Sequence, residues 1–384
     1  MIRSARLVTI AGLIGAGLVV PATFASTATA AGATVVSMSA GPFGTTLTVT
    51  AGDSVNDITV VPTFGGGLRV TDSLAAVTSA GRYCTQVNVH ALNCPTAVYV
   101  TVLAGLGDDA VKNQTSLPST LNGVGGADTL TGGSGADHIQ GGAGNDVLDG
   151  GTGADTIDGG SGQDGASYAT RTATVTMVLD ATQPGHQGEA GEGDTFVSIE
   201  DLIGGAGDDW LASEHQMSGA HVITANAGED TVQLIGAATV DGGPGDDLLS
   251  VEGDGSGATI IGGPGDDVIY ANYTEMDVYV DGGAGNDYTF TGAGDDTIHG
   301  GDGNDTLQSG WFTQPNIGAF DTDVIDGGAG DDRLIGNNGA DTLLGGSGAD
   351  NLTGGPGFDV LDGGTEMDTC AVEEDGGFTQ NCEL

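Results

Sequence analysis

Basic side chains are scarce in this chain: Lys and Arg total 7 against 53 Asp and Glu, a net charge of −46. Such a field repels phosphate, which argues against nucleic acid or an anionic membrane as a direct partner and favours multivalent cations. No HExxH helix for a zinc protease and no GxSxG elbow for a serine hydrolase occur in the sequence. No stretch shows a helical period, and beyond the first 20 residues no apolar run could cross a bilayer. Cysteines number four, with no CxxC or close His to suggest zinc. They form two close pairs, Cys84 with Cys94 and Cys370 with Cys382. Three connectivities are formally possible, but in a stacked array the distant cross-pairings are out of reach, so local pairing is expected.

Glycine is abundant, at 73 of 384 residues, yet it does not fall on every third position, which excludes collagen. Disorder is the serious rival for a Gly-rich acidic chain. Strict phasing argues against it: Leu130, Ile139, Leu148 and Ile157 stand nine apart. From Gly132 the sequence runs GGSGADHIQ, GGAGNDVLD, GGTGADTID, GGSGQDGAS, and the beat restarts at Gly282 and Gly327. Glycine in the first, second and fourth slots predicts a turn with positive φ and close backbone approach. The eighth slot holds an inward aliphatic. Two nonapeptides make one coil, so the chain is expected to be all-β, a parallel β-roll or β-helix solenoid of nonapeptide repeats. A strand-rich N-terminal cap or set of early coils should precede it, since a stack needs a covered end.

Along the chain, residues 1–30 read as a signal peptide: Arg3 and Arg6, an apolar core Leu7 to Val20, and a small-residue cleavage site near Ala30. A secreted, extracellular protein follows, which suits disulfides. Residues 31–122 form a strand-rich region, 123–166 the first repeat block, and 167–212 a different inter-repeat segment. Residues 213–368 hold further repeats with wider coils, where Asp247, Asp267 and Asp287 stand 20 apart. Residues 369–384 read as a disulfide-linked cap, because Glu366 and Cys370 break the last repeat.

Coils of 18 residues place successive aspartates about 4.8 Å apart on one edge. Two like charges at that distance repel by roughly 1 kcal/mol in water and about 3 to 4 at an effective dielectric near 20. Repeated along a row, this exceeds the few kcal/mol by which domains are ordinarily stable. A hard dication between turns reverses the sign. Calcium accepts six to eight oxygens in flexible geometry, which carboxylates and turn carbonyls can supply, whereas magnesium demands a small octahedron. Several Ca²⁺ ions are therefore expected.

The tandem turns resemble the RTX, or haemolysin-type, calcium-binding repeat family, whose parallel β-roll holds Ca²⁺ between GGxGxD turns. The segment SYATRTATVTMVLD to GEGDTFVSIEDLIGGAGDDWL also resembles one found between such repeats. The resemblance implies metal ligands at Asp128, Asp137, Asp146, Asp155, Asp164, Asp209, Asp247, Asp267, Asp287, Asp296, Asp305, Asp332, Asp341, Asp350 and Asp359. Val124 replaces the second glycine ahead of Asp128, and Thr291 and Asn337 replace glycines ahead of Asp296 and Asp341. Asp109, Asp230 and Asp368 sit in damaged turns and are left outside the set. Many relatives leave the cell through an uncleaved C-terminal signal; an N-terminal signal and a C-terminal cysteine cap are departures from that pattern.

The expected function is a secreted calcium-binding protein with a structural or interaction role and no catalytic residues. Two alternatives stay open. A β-helix could host a carbohydrate-active or other hydrolytic enzyme using wall carboxylates with Arg171 or Arg333. A cell-surface adhesin could present Trp210, Trp311 and Phe312 to a cell-wall or polysaccharide partner. Glu189 and Glu192 offer either a further calcium site or an ordinary acidic loop.

Overall fold

The computed structural model describes residues 32–179, 187–213, 219, 221–253, 257–273, 277–310, 321–372 and 376–383. The signal peptide and cleavage site expected in residues 1–30, and Trp311 with Phe312, lie outside the described residues. The protein is an all-β parallel solenoid of about 13 coils. Strand pairs stack in register at one coil's separation: Leu130 opposite Leu148 and Ile139 opposite Ile157, each 18 residues on. In the wider coils the step is 20, with Ile260 opposite Val280 and Ile269 opposite Thr289. The alternation of buried and outward residues follows from the strand period of two. Leu130, Ile139, Leu148, Ile157, Leu334, Leu343, Leu352 and Leu361 all point inward with no exposed surface.

One wall runs nearly the full length, from Ala110–Asn113 through Thr129–Thr131, Val147–Asp149, Gly165–Ser167 and Asp201–Ile203 to Gly377–Gln380. The wall opposite it is made twice. In the first half it consists of strands such as Tyr99–Leu106, His138–Ala143 and Thr156–Ser161, and it ends at Thr195–Val197. In the second half it begins afresh at Val175–Leu179 and continues from Trp210–Ser213 to Thr369–Ala371. Residues 167–212 are thus a joint at which the chain exchanges one partner wall for another. The apolar core divides at the same place, one cluster ending at Ile157 and the other starting at Ala166, with Phe196 and Ile199 packed against both.

The strand-rich N-terminal region pairs directly with the stack. Thr46 to Thr50 lie parallel to Tyr99 to Leu103, and Asp57 to Val60 parallel to Ala110 to Asn113. Antiparallel hairpins close the outer end: Ala33–Gly41 on Gly44–Thr50, and Asp57–Pro62 on Leu68–Asp72 and then Ala91–Cys94. They leave the first coil paired rather than open. Cys84 is joined to Cys94 and Cys370 to Cys382, the local pairing expected. At the far end Cys370 sits opposite Leu352 in the inward slot, and its bridge brings the tail back onto the last coil.

Candidate metal-binding edges

The turns stack as regularly as the strands. Each of the fifteen aspartates named from the sequence accepts, through Oδ1, the backbone N–H of a residue one coil earlier. The Asp128 amide donates to Asp146 at 2.7 Å, Asp146 to Asp164 at 2.8 Å, Asp137 to Asp155 at 2.7 Å and Asp332 to Asp350 at 2.8 Å. One edge of the second half is an unbroken chain of such bonds through Asp209, Asp230, Asp247, Asp267, Asp287, Asp305, Asp332, Asp350 and Asp368. The other edge carries Asp296, Asp323, Asp341 and Asp359. In the first half one edge carries Asp109, Asp128, Asp146 and Asp164, and the other Asp137, Asp155 and Asp194.

The structure therefore enlarges the set. Asp109, Asp230 and Asp368, set aside as damaged turns, stand in the rows and are buried. Asp194, outside the nonapeptide frame, and Asp323, on the nine-residue beat but without the second and fourth glycines, do so as well. Two rows end on glutamate: the Asp164 amide donates to Glu200 at 3.0 Å and the Asp368 amide to Glu383 at 2.8 Å. Glu383 lies just after Cys382, so the tail supplies the carboxylate that a further coil would have provided.

Oδ1 is satisfied; Oδ2 in most of these residues is not. Asp128, Asp146, Asp155, Asp164, Asp247, Asp267, Asp287 and Asp332 each bury an Oδ2 with no hydrogen-bond partner. An orphaned buried carboxylate oxygen is costly unless a cation meets it. Asp137 and Asp209, each beginning a row, differ: their Oδ2 accepts the amide of Gly133 at 2.8 Å and of Gly205 at 2.6 Å.

The first glycine of each repeat faces this oxygen. A Cβ on Gly242 would lie 2.5 Å from Asp247 Oδ2 and 2.7 Å from the Gly262 carbonyl oxygen one coil on; on Gly327 it would meet Asp332 Oδ2 at 2.5 Å and the Gly345 oxygen at 2.7 Å. Both oxygens thus converge on a cradle that any side chain would fill. This corrects the expectation for the first slot. Its glycines keep ordinary φ, whereas the left-handed backbone falls at the second and fourth slots, as at Gly243 and Gly245. The second slot imposes φ 82° even on Val124.

Burial raises these carboxyls, and like-charged neighbours raise them further. Asp155, Asp296 and Asp341 are pushed up to about 8, and Asp247, Asp287, Asp323 and Asp332 to about 7. Asp128, Asp146, Asp230 and Asp267 rise to about 6. Desolvation leads in every case; the amide donors oppose it without cancelling it.

Among the described residues no three acidic, His or Cys side chains converge on one point. A cation held between turns would draw on one or two carboxylates and complete its shell from carbonyls, a donor set of hard oxygens that suits Ca²⁺. Other residues singled out in the sequence fall away from these rows. Trp210 is half exposed on the outer face of its wall, and Arg333 also faces outward. Arg171 is buried against Glu189 and Glu192 at the joint.

The family model described as the RTX calcium-binding nonapeptide repeat (4 copies) matches residues 122–157, 131–165, 198–213, 252–273, 279–312, 317–352 and 344–369. No curated protein matches this sequence. The chain carries RTX calcium-binding nonapeptide repeats, and they form a parallel β-solenoid.

Proposed function

We propose that this RTX repeat protein is an extracellular, non-catalytic calcium-binding rod whose coils become rigid only when Ca²⁺ occupies the turn edges. The observation that supports the reading is the row of buried aspartates with Oδ1 bonded to the neighbouring coil and Oδ2 unpartnered. Asp128, Asp146 and Asp164 on one edge, Asp155 on the other, and Asp230 through Asp368 in the second half would hold the ions. When bound, calcium supplies positive charge that neutralises the rows and oxygen coordination that ties one turn to the next. The chain's own residues do the rest. Amides fix each carboxylate in place, first-slot glycines leave room beside it, and the inward aliphatics align the coils. Glu383, held by the Cys370–Cys382 bridge, closes the last row. Because the edge sites exist only in the ordered coils and not in the unfolded chain, binding and folding are one equilibrium. The rod then serves as a spacer or binding surface through its outward side chains.

Circular dichroism of the secreted protein during a calcium titration tests this. The β signal should be largely missing in excess chelator and return cooperatively with added Ca²⁺. A full β signal in chelator that millimolar Ca²⁺ leaves unchanged would sink the proposal.

A further inference from the structure

We propose that Arg171 is a tethered substitute for a metal ion, making the joint between the two walls hold together without calcium; this rests on the calcium-coupled folding proposed above. The turn that carries it, Ala169-Thr170-Arg171-Thr172-Ala173-Thr174, has no carboxylate and no glycine. Yet it sits where a repeat turn would. On one side the Arg171 Nη2 donates to the carbonyl of Gly151 in the turn that leads to Asp155. On the other, the Arg171 carbonyl accepts the amide of Ala206, in the turn that leads to Asp209, at 2.9 Å.

The side chain is 8% exposed. Its guanidinium lies 3.7 Å from Asp149, 3.8 Å from Glu189 and 3.6 Å from Glu192, and 5.4 Å above the Tyr168 ring centre. Nε makes no hydrogen bond and is directed at the two glutamates. The Tyr168 hydroxyl donates to Asp194 at 2.5 Å, and Asp194 in turn accepts the Asp155 amide at 2.7 Å. One row of carboxylates therefore ends beside a buried cation already present in the chain.

The partners of this guanidinium are those a calcium ion would seek at an edge: a turn carbonyl and carboxylate oxygens. One physical difference follows. Being covalently part of the chain, the guanidinium does not dissociate when calcium falls. The joint is also where the core divides and the partner wall changes, so it is where loss of an ion would separate the two stacks.

Hydrogen exchange of the full mature chain, in chelator and in millimolar Ca²⁺, tests the assignment with Arg171→Gln and Arg171→Lys. In chelator the wild-type amides at 149–155 and 168–178 should exchange at least ~10-fold more slowly than those at 324–350. Arg171→Gln should lose that difference in chelator and regain protection in calcium, while Arg171→Lys keeps part of it. Unchanged protection in Arg171→Gln, or a wild-type joint as fast as the repeats it should outlast, overturns the assignment. Should Arg171→Gln not fold in calcium, Arg171→Lys decides: protection kept in chelator supports the role of the charge, and loss to the level of the repeats overturns it. If residues 324–350 are themselves protected in chelator, calcium-coupled folding fails; the comparison of Arg171→Gln with wild type still decides the role of Arg171.

Discussion

The wide coils around Asp230 to Asp287 and the narrow coils from Asp305 to Asp368 solve the same packing problem with different chemistry. In the narrow coils the second-half wall contributes one inward aliphatic per strand: Leu307, Leu334, Leu352. Both edges carry aspartates, Asp305, Asp332, Asp350 and Asp368 on one and Asp323, Asp341 and Asp359 on the other. In the wide coils the same wall contributes two, Leu249 with Val251 and Ile269 with Ala271, all fully buried, and the 17-residue coil before them does so too with Val232 and Leu234. Only one edge there carries the aspartate row; buried Ala238, Ala258 and Val278 follow the turns of the other. A buried Leu or Val stabilises by about 1.5–3 kcal/mol. The longer strand thus adds apolar burial, and the missing row removes a line of charge repulsion. On the calcium-coupled folding proposed above, the ion should matter most where both edges carry aspartates.

The largest consequence concerns metal removal. In chelator the amides at 305–335 and 342–368 should lose protection by about 10²-fold or more, while those at 231–251 and 259–271 lose markedly less, because opening free energies follow local burial. Site-resolved hydrogen exchange with and without calcium would show this. Equal loss in both regions would break the distinction and make the extra aliphatics incidental.

Acidity should act on both regions by a smaller amount. Burial raises carboxyls in each, Asp341 to about 8 and Asp332 to about 7 in the narrow coils, Asp247 and Asp287 to about 7 in the wide ones, with like-charged neighbours adding to it. A carboxyl raised in the fold binds its proton more tightly there than in the unfolded chain, whose value is near 3.8. Without metal, its favourable contribution is complete below about pH 4 and is lost as pH rises towards about 8. The metal-free chain should therefore keep more β signal at pH 5 than at pH 8. Calcium affinity should run the other way, since the proton competes with the ion. A metal-free β signal that grows between pH 5 and pH 8 contradicts this assignment of the buried carboxyls.

The phased aspartates and inward aliphatics were readable from sequence because each occupies a fixed slot in a short period. Local disulfide pairing was readable once the repeats were taken to stack. Asp323 was passed over because only the first-slot Gly318 precedes it; its place nine residues before Asp332, and the pattern after it, Val324-Ile325-Asp326-Gly327-Gly328, which matches Val147-Leu148-Asp149-Gly150-Gly151 after Asp146, were the available signals. Asp194 and Glu200 join their rows over separations of 39 and 36 residues, beyond the reach of an 18-residue frame. The change of partner wall depends on which strand meets which across the joint. Periodicity within one strand carries no information about that.

The smallest effect separates what the two regions share from what divides them. The second slot of the turn can be left-handed with or without glycine: Val124, in the narrow coils of the first half, has φ 82° and Asn226, ahead of Asp230, φ 78°. A β-branched residue is strained there, whereas asparagine tolerates this region and glycine occupies it freely. Val124→Gly should therefore raise stability by about 1 kcal/mol in calcium, while Asn226→Gly should lower it by about 0.5–1.5 kcal/mol, because it also removes the hydrogen bond that Asn226 Nδ2 donates to the Gly204 carbonyl at 2.6 Å. Thermal melts of both variants in saturating calcium check this. Equal gains would mean that residue type does not decide the strain, and a loss at Val124→Gly would mean that its half-exposed side chain contributes more than the backbone relief. The expected asymmetry would show that these two turns make the same demand on the backbone, and that the residue filling the slot decides what it costs.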